Sequence, residues 1–400
     1  MQHILLSFAF IFVFQFTAHA QWESKNINTS ASLAGVDFLD AETGYVVGGG
    51  KIFKTSTGGD QWDISYDAGS SVFLEDVRIA GNRVVAVGKD FNTGLAIILL
   101  TTTGGANWKI VMPPTSDLLR SVFFTSNEVG YCAGGGSILK TTDGGNTWQN
   151  LPTGGVGGIQ SIFFVNDLMG IAVGGSPFNG FILKTQDGGN NWTQIDAPSD
   201  EYLQSTFFVN QDVGYAVGWN GKIIKTTDCG ATWTSQNSVA MNGNLEVVFT
   251  DYLTGYIVGG GISEALIQKT TNGGELWEEI GPQIPQGLIC IDFPNFNTGY
   301  AVGANGTVLK TESGGTSSLS QLFNSASLQV YPNPVAGMVS VESLERISYI
   351  RLFDTNGQLL ETRNCNENVL QFDCTHLVPN VYYLEIQTTQ GKSIRKIVKQ

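Results

Sequence analysis

The sequence predicts an all-β chain: a seven-bladed β-propeller closed by its N-terminal strand, then a small C-terminal β-sandwich. Three observations predict it. First, a nine-residue unit, seen in full as Lys140-Thr141-Thr142-Asp143-Gly144-Gly145-Asn146-Thr147-Trp148, recurs from Lys54, Leu100, Lys140, Lys184, Lys225, Lys269 and Lys310, at spacings of 40 to 46 residues. Second, each period holds short β-rich runs between Gly/Asn turns and no helical periodicity, the pattern of four-stranded blades. Third, the ends of the array complement each other. The copy at Lys310 has no Trp after it, and Trp22 has no Gly-Gly turn before it. Seven turns thus match seven repeat tryptophans: Trp22, Trp62, Trp108, Trp148, Trp192, Trp233 and Trp277. A ring in which the Trp22 strand completes the last blade satisfies both ends and leaves no free sheet edge. An open solenoid would need polar capping repeats, and neither end has one.

Residues 1–20 read as a secretory signal. Ile4 to Phe16 is apolar apart from Ser7 and Gln15, and Ala18-His19-Ala20 is a small-residue cleavage site. The run is short for a membrane span, so no transmembrane anchor is expected after cleavage. Residues 21–315 are the propeller. In each blade a Val-Phe-Phe strand such as Ser121–Phe124 is innermost. Gly130-Tyr131-Cys132-Ala133-Gly134 and its relatives are second, Ile138–Thr141 and its relatives third, and the Trp strand outermost. Blade two departs most, around Val77 to Arg83 and Lys89 to Thr93. Trp219-Asn220-Gly221 and Ala304-Asn305-Gly306 are Asn-Gly hairpin turns. Residues 316–327 are Ser-rich and form a linker. Residues 328–400 are a second β domain, with strands near Val339–Glu342, Ile347–Phe353 and Tyr382–Gln387.

The whole formal charge of −14 belongs to the propeller, and the tail is neutral. With no Lys/Arg cluster, this charge argues against nucleic acid and anionic membrane surfaces as partners. The three histidines are His3, His19 and His376, so the mature propeller has none. Ser-His-Asp and Cys-His catalysis are thereby excluded from it, and no metal or other cofactor is expected. No P-loop, dinucleotide fingerprint or HExxH is present. Five cysteines are too few for a disulfide framework, although Cys365 and Cys374 could pair in an exported chain.

Thr141-x-Asp143-x-Gly145-x-Thr147-Trp148 resembles the Asp-box, or bacterial neuraminidase repeat. The run of seven, with its Gly-Tyr-Ala-Val-Gly partner motif, is similar across about 22–315 to the propeller family of photosystem II assembly and stability factors. The box marks a fold more than a function. Asp143, Asp187 and Asp228 keep the carboxylate, whereas Thr57, Thr103, Asn272 and Ser313 stand in its place elsewhere. A catalytic or calcium-ligating Asp would not be so replaced, so these side chains, with Trp148, Trp192 and Trp233, read as structural. Tyr331-Pro332-Asn333-Pro334, Ile350-Arg351-Leu352-Phe353-Asp354, Gly357-Gln358, Leu377 through Leu384 and the Lys-Ile-Val-Lys end resemble the type A sorting domain of the type IX secretion system of Bacteroidota. The resemblance implies that this machinery engages residues 328–400, after export to the periplasm. It implies too that the tail is removed and the cargo released or held at the cell surface.

A sialidase needs three converging arginines, and the propeller has only Arg78, Arg83 and Arg120, with Arg78 and Arg83 around one turn. A glycosidase needs only two carboxylates across a cleft. Asp90, Asp117, Asp200, Glu201, Glu246 and Glu264 are expected on the face of the inter-blade loops, where solvated loop carboxylates are the plainer reading. Trp219 lies outside the structural Trp position, and Phe91, Phe178 and Tyr202 fall in similar loops. Exposed aromatics there suit a sugar ring or a protein hot spot. The expectation is a secreted or surface-held, non-catalytic module binding protein or glycan, with a glycan hydrolase using loop carboxylates as the alternative.

Overall fold

The computed structural model describes residues 22–176, 179–198, 202–238, 242–261, 264–282, 284–315, 328–332, 335–354, 358–388 and 391–399. The signal and linker segments expected from sequence lie outside the described residues, as do Phe178, Asp200 and Glu201.

Among the described residues there are seven four-stranded antiparallel sheets and one five-stranded sheet. Sheets 1 to 6 are consecutive meanders. Their innermost strands are Gly35–Phe38, Val72–Ala80, Ser121–Phe124, Ile159–Phe164, Leu203–Phe208 and Asn244–Phe249. Sheet 7 begins at Leu288–Asp292 and takes its outermost strand from the other end of the chain. Glu23–Lys25 pairs antiparallel with Val308–Thr311, setting Glu23 opposite Lys310. The innermost strands contact one another in sequence, and Gly35–Phe38 contacts Leu288–Asp292 to complete a ring.

The second strands are buried on both faces. All five residues of Gly44–Gly48, Gly130–Gly134, Gly214–Gly218 and Gly299–Gly303 are buried. Their neighbours in the ring cover them, so the core lies between adjacent sheets. One cluster joins Val85, Val87, Ile98 and Leu100 of sheet 2 to Val122, Cys132 and Leu139 of sheet 3. Each repeat tryptophan but one meets the last aromatic of an innermost strand edge-on: Phe38–Trp62, Phe124–Trp148, Phe164–Trp192, Phe208–Trp233, Phe249–Trp277 and Phe293–Trp22, at 5.9 to 6.2 Å between centroids. Sheet 2 has Ile79 at this place, and Trp108 meets Tyr45 instead, at 6.4 Å.

In the C-terminal region, where a sandwich is expected, hydrogen bonds join all five strands into one sheet. The long strand Met338–Phe353 is the reason, because it pairs with three others and its register shifts between Glu342 and Ile347. Cys365 and Cys374 are free thiols, which corrects the pairing considered above. Cys365 lies within the strand Leu359–Asp373 and Cys374 directly follows it. The sheet rests against the propeller, with Phe353 stacked on Tyr252 at 5.7 Å and Tyr383 edge-on to Phe296 at 6.2 Å.

Candidate functional site

The recurring turn is a hydrogen-bond hub. Thr141 Oγ1 accepts the Gly145 N–H at 2.9 Å and donates to Asp143 Oδ1 at 2.8 Å. The Asp143 carboxylate accepts the Thr147 N–H at 2.9 Å and the Thr147 hydroxyl at 2.6 Å. Asp187 and Asp228 repeat this with Asn191 and Thr232. Thr57, Thr103 and Asn272 accept the matching N–H from Gln61, Asn107 and Leu276. These bonds to the ionised form lower the pKa of all three carboxyls, that of Asp228 to about 2. Every acceptor is occupied by its own turn. Trp148 and Trp233 are buried, and Trp192 packs partly buried against the sheet 3–4 core.

A different site lies on the axis of the ring. The innermost strands line a cavity of about 390 Å³. In five sheets a register shift bulges one residue toward it: Glu75, Gln160, Gln204, Leu245 and Ile289. Phe123, Phe163 and Phe207 line one side, at 4.7 and 5.2 Å between successive centroids. Asp37, Arg78 and Asp292 hold the equivalent register positions in sheets 1, 2 and 7.

These polar groups satisfy backbone donors of the next sheet, which would otherwise be stranded where the inner strands have no further ladder. Asp292 accepts the Phe38 N–H at 2.9 Å, Asp37 the Ile79 N–H at 2.6 Å, and Asp76 the Val122 N–H at 2.8 Å. Ser121 and Ser205 do the same for Ile162 and Val247, at 3.3 and 3.4 Å. Arg78 reaches Asp37 at 3.2 Å, and Arg120 reaches Glu75 at 3.6 Å. Burial raises the carboxyl pKa of Asp37, Asp76, Glu75 and Asp292, against the pull of nearby arginines, and takes Glu246 to about 8. Arg78 is held charged by Asp76 and Asp37 despite burial.

Around the mouth of this cavity the innermost strands begin and the second strands end. Trp219, 41 % exposed, meets Tyr202 edge-on at 5.2 Å, and its backbone N–H donates to the Tyr202 carbonyl at 3.0 Å. Asn220 and Gly221 both adopt positive φ, so the turn projects the indole outward. Phe91 forms a second exposed pair with Phe73, edge-on at 5.4 Å, with the Lys89 ammonium 5.9 Å from its ring. The structure thus brings Tyr202 and Trp219 together on sheet 5 and sets Phe91 on sheet 2.

Among the described residues, the loop carboxylates are hydrogen-bonded within their own loops or to a neighbouring one. Asp90 accepts from Asn92 and Thr93, Asp117 from Gly136 and Ser137, and Glu264 from Asn242. Glu246 is a correction: it sits on the inner strand Asn244–Phe249, not in a loop. Arg83 lies at the far face against Asn127 and Glu128, while Arg78 and Arg120 share the cavity. Sequence reasoning missed Asp37, Glu75, Asp76 and Asp292. Their signal was a charge inside an otherwise apolar innermost strand, as in Val36-Asp37-Phe38 and Ile291-Asp292-Phe293. Among the described residues no group of three or more His, Cys, Asp or Glu is placed to hold a metal ion.

Four-stranded sheets ringed about a polar axial cavity define a β-propeller. Overlapping matches to the model of the Photosynthesis system II assembly factor YCF48 family cover residues 14–113, 107–199 and 188–287, and the chain belongs to that family. Residues 329–400 match the secretion system C-terminal sorting domain, so this is a propeller bearing an export tail. No curated protein matches the chain. Among solved structures, YCF48 from Cyanidioschyzon merolae is 20% identical with a TM-score of 0.61, over 73% of this chain and 98% of that one. A structure of YCF48 bound to D1 peptide is 21% identical with a TM-score of 0.62, over 73% and 95%. The GH74 xyloglucanase from Xanthomonas campestris is 12% identical with a TM-score of 0.60, over 81% and 59%. These likenesses are of fold. No helix among the described residues is long and apolar enough to cross a membrane.

Proposed function

We propose that the protein is a non-catalytic, seven-bladed binding module. It is carried through the periplasm and across the outer membrane by the type IX machinery acting on residues 328–400, and works in the medium or at the cell surface. It holds an extended polypeptide segment of a protein partner across the cavity mouth. The observation that carries this reading is the pair of exposed aromatic clusters, Phe73/Phe91 on sheet 2 and Tyr202/Trp219 on sheet 5, with the Glu75–Arg120 pair among the groups lining the cavity. Flat rings give a partner large contact area at little entropic cost, and a central ion pair offers polar register. A family relative bound to a peptide supports a polypeptide over a sugar. The turn duties of Asp90, Asp117 and Glu264 weigh against the hydrolase reading.

The test is binding of the full chain to arrayed extracellular peptides and glycans, beside Trp219→Ala and Phe91→Ala. Each variant is expected to weaken peptide binding by about tenfold with its melting temperature unchanged, the effect of losing a hot-spot aromatic. Glycan binding lost in Trp219→Ala would replace the polypeptide with a sugar. Release of reducing ends would overturn the non-catalytic reading.

A further inference from the structure

The charged residues of the cavity gather where the ring closes. Sheets 7 and 1 meet there through Asp292 and Phe38, 254 residues apart in sequence. The chain joins them only through the short strand Glu23–Lys25, which is hydrogen-bonded onto Val308–Thr311 of sheet 7 and runs on through residues 26–34 to Gly35–Phe38 of sheet 1, so the ring is closed by packing and hydrogen bonds. The titratable and charged groups facing this junction come from five sheets: Asp37 from sheet 1, Glu75, Asp76 and Arg78 from sheet 2, Arg120 from sheet 3, Glu246 from sheet 6, and Cys290 and Asp292 from sheet 7. Sheets 4 and 5 add only neutral groups. Glu75 engages Arg120. Four carboxyls, those of Asp37, Asp76, Glu246 and Asp292, then surround the single guanidinium of Arg78.

We propose that this cluster is a pH-sensitive clasp: partly protonated, it holds sheets 7, 1 and 2 together, and as its carboxyls ionise their mutual repulsion loosens the closure of the ring. One cation cannot neutralise four carboxylates in a partly desolvated cavity, where like charges repel more strongly than in bulk water. Three of the four are fixed in place, because they cap the N–H groups of Phe38, Ile79 and Val122 and cannot swing apart without stranding them. Arg120 and Glu75, which line the cavity, keep part of their side-chain surface exposed, so protons exchange with solvent. Burial raises Asp37, Asp76 and Asp292 and carries Glu246 to about 8, whereas in the unfolded chain such groups titrate near pH 4. Between about pH 4 and pH 8 the folded chain therefore binds more protons than the unfolded one, and stability falls as pH rises. The turn carboxyls Asp143, Asp187 and Asp228 are shifted the opposite way. Their contribution is complete above about pH 4 and lost only below it, so they cannot produce a slope at neutral pH.

The test is thermal unfolding of the full chain from about pH 5 to about pH 9 at constant ionic strength, beside Glu246→Gln, Asp292→Asn and the control Asp143→Asn. The wild-type melting temperature is expected to fall across this range by roughly 2–3 °C, a shift of the size that one to two kcal/mol gives a domain this large. Glu246→Gln and Asp292→Asn flatten that fall, and Asp143→Asn keeps it. Infrared spectroscopy of the folded wild type reads the cluster without any variant: a protonated carboxyl band persists at about pH 6 and disappears by about pH 9. A flat wild-type profile, an unchanged slope in Glu246→Gln, or no protonated carboxyl at about pH 6 would overturn the clasp. If a variant does not fold, the wild-type slope and the infrared band decide.

Discussion

At the scale of single residues, the turns separate what the fold requires from what it tolerates. The first turn glycine takes positive φ at Gly58, Gly104, Gly144, Gly188, Gly273 and Gly314, between 58° and 71°. In sheet 5 the same place is Cys229, at φ 61°, one of the few non-glycine residues in that region. A side chain there costs about 1 kcal/mol, and the Cys229 thiol recovers part of it by donating to Asp212 Oδ1 at 3.1 Å. Cys229→Gly is accordingly expected to stabilise the chain by about 0.5–1 kcal/mol, read as a rise in the denaturation midpoint with an unchanged m-value. A fall would mean that the thiol contact outweighs the strain.

At the scale of elements, the Gly-Tyr-Ala-Val-Gly strand and the Lys before the turn prove to be one latch between sheets. The Gly273 carbonyl in the turn of sheet 6 accepts the Tyr215 hydroxyl and the Lys225 ammonium of sheet 5, both at 2.6 Å. Gly188 receives Tyr131 and Lys140 in the same way, and Gly314 receives Tyr256 and Lys269. The Tyr ring also stacks on the next sheet's Phe, at 3.6 Å for Tyr131 on Phe164 and 4.3 Å for Tyr215 on Phe249. Tyr215→Phe keeps the stack and leaves Lys225 on the carbonyl. Its expected cost is about 1 kcal/mol, the net worth of one buried hydrogen bond, measurable by chemical denaturation. The glycine that starts the strand has a separate cause: a Cβ on Gly214 would lie 2.6 Å from the Phe208 ring. Sheet 2 carries Ile79 in place of that Phe and Val84 in place of that Gly, so the two departures explain each other.

At the scale of the whole molecule, stability rests on closing the ring. The strand Glu23–Lys25 is only three residues long, and Trp22 beside it is 2 % exposed, packed against Phe293 and the sheet 6–7 core. Lys25 pins the strand further by bridging Glu23 and Asp60. Trp22→Ala removes a buried indole from the sheet 6–7 core, beside the strand that is joined to sheet 7 by hydrogen bonds alone. It is expected to cost about 3–5 kcal/mol, lowering the thermal midpoint of the full chain. A change below about 1 kcal/mol would show that the ring closes without this strand.

The repeat, the order of the four strands, the complementary ends and the tail were legible because they depend on local chemistry: turn residues that accept particular φ angles, and apolar runs of strand length. Trp219 and Tyr202 were legible as departures from a repeat, although that they form one cluster was not. The charged cavity was decided by tertiary structure alone. Asp37, Asp76, Glu246 and Asp292 are scattered over more than 250 residues of sequence, and each by itself reads as an ordinary acid. Only the curvature of the ring points their strands at a common axis. There, burial makes four unremarkable carboxyls share one arginine, because desolvation and mutual repulsion act through space and leave no periodic mark in the chain.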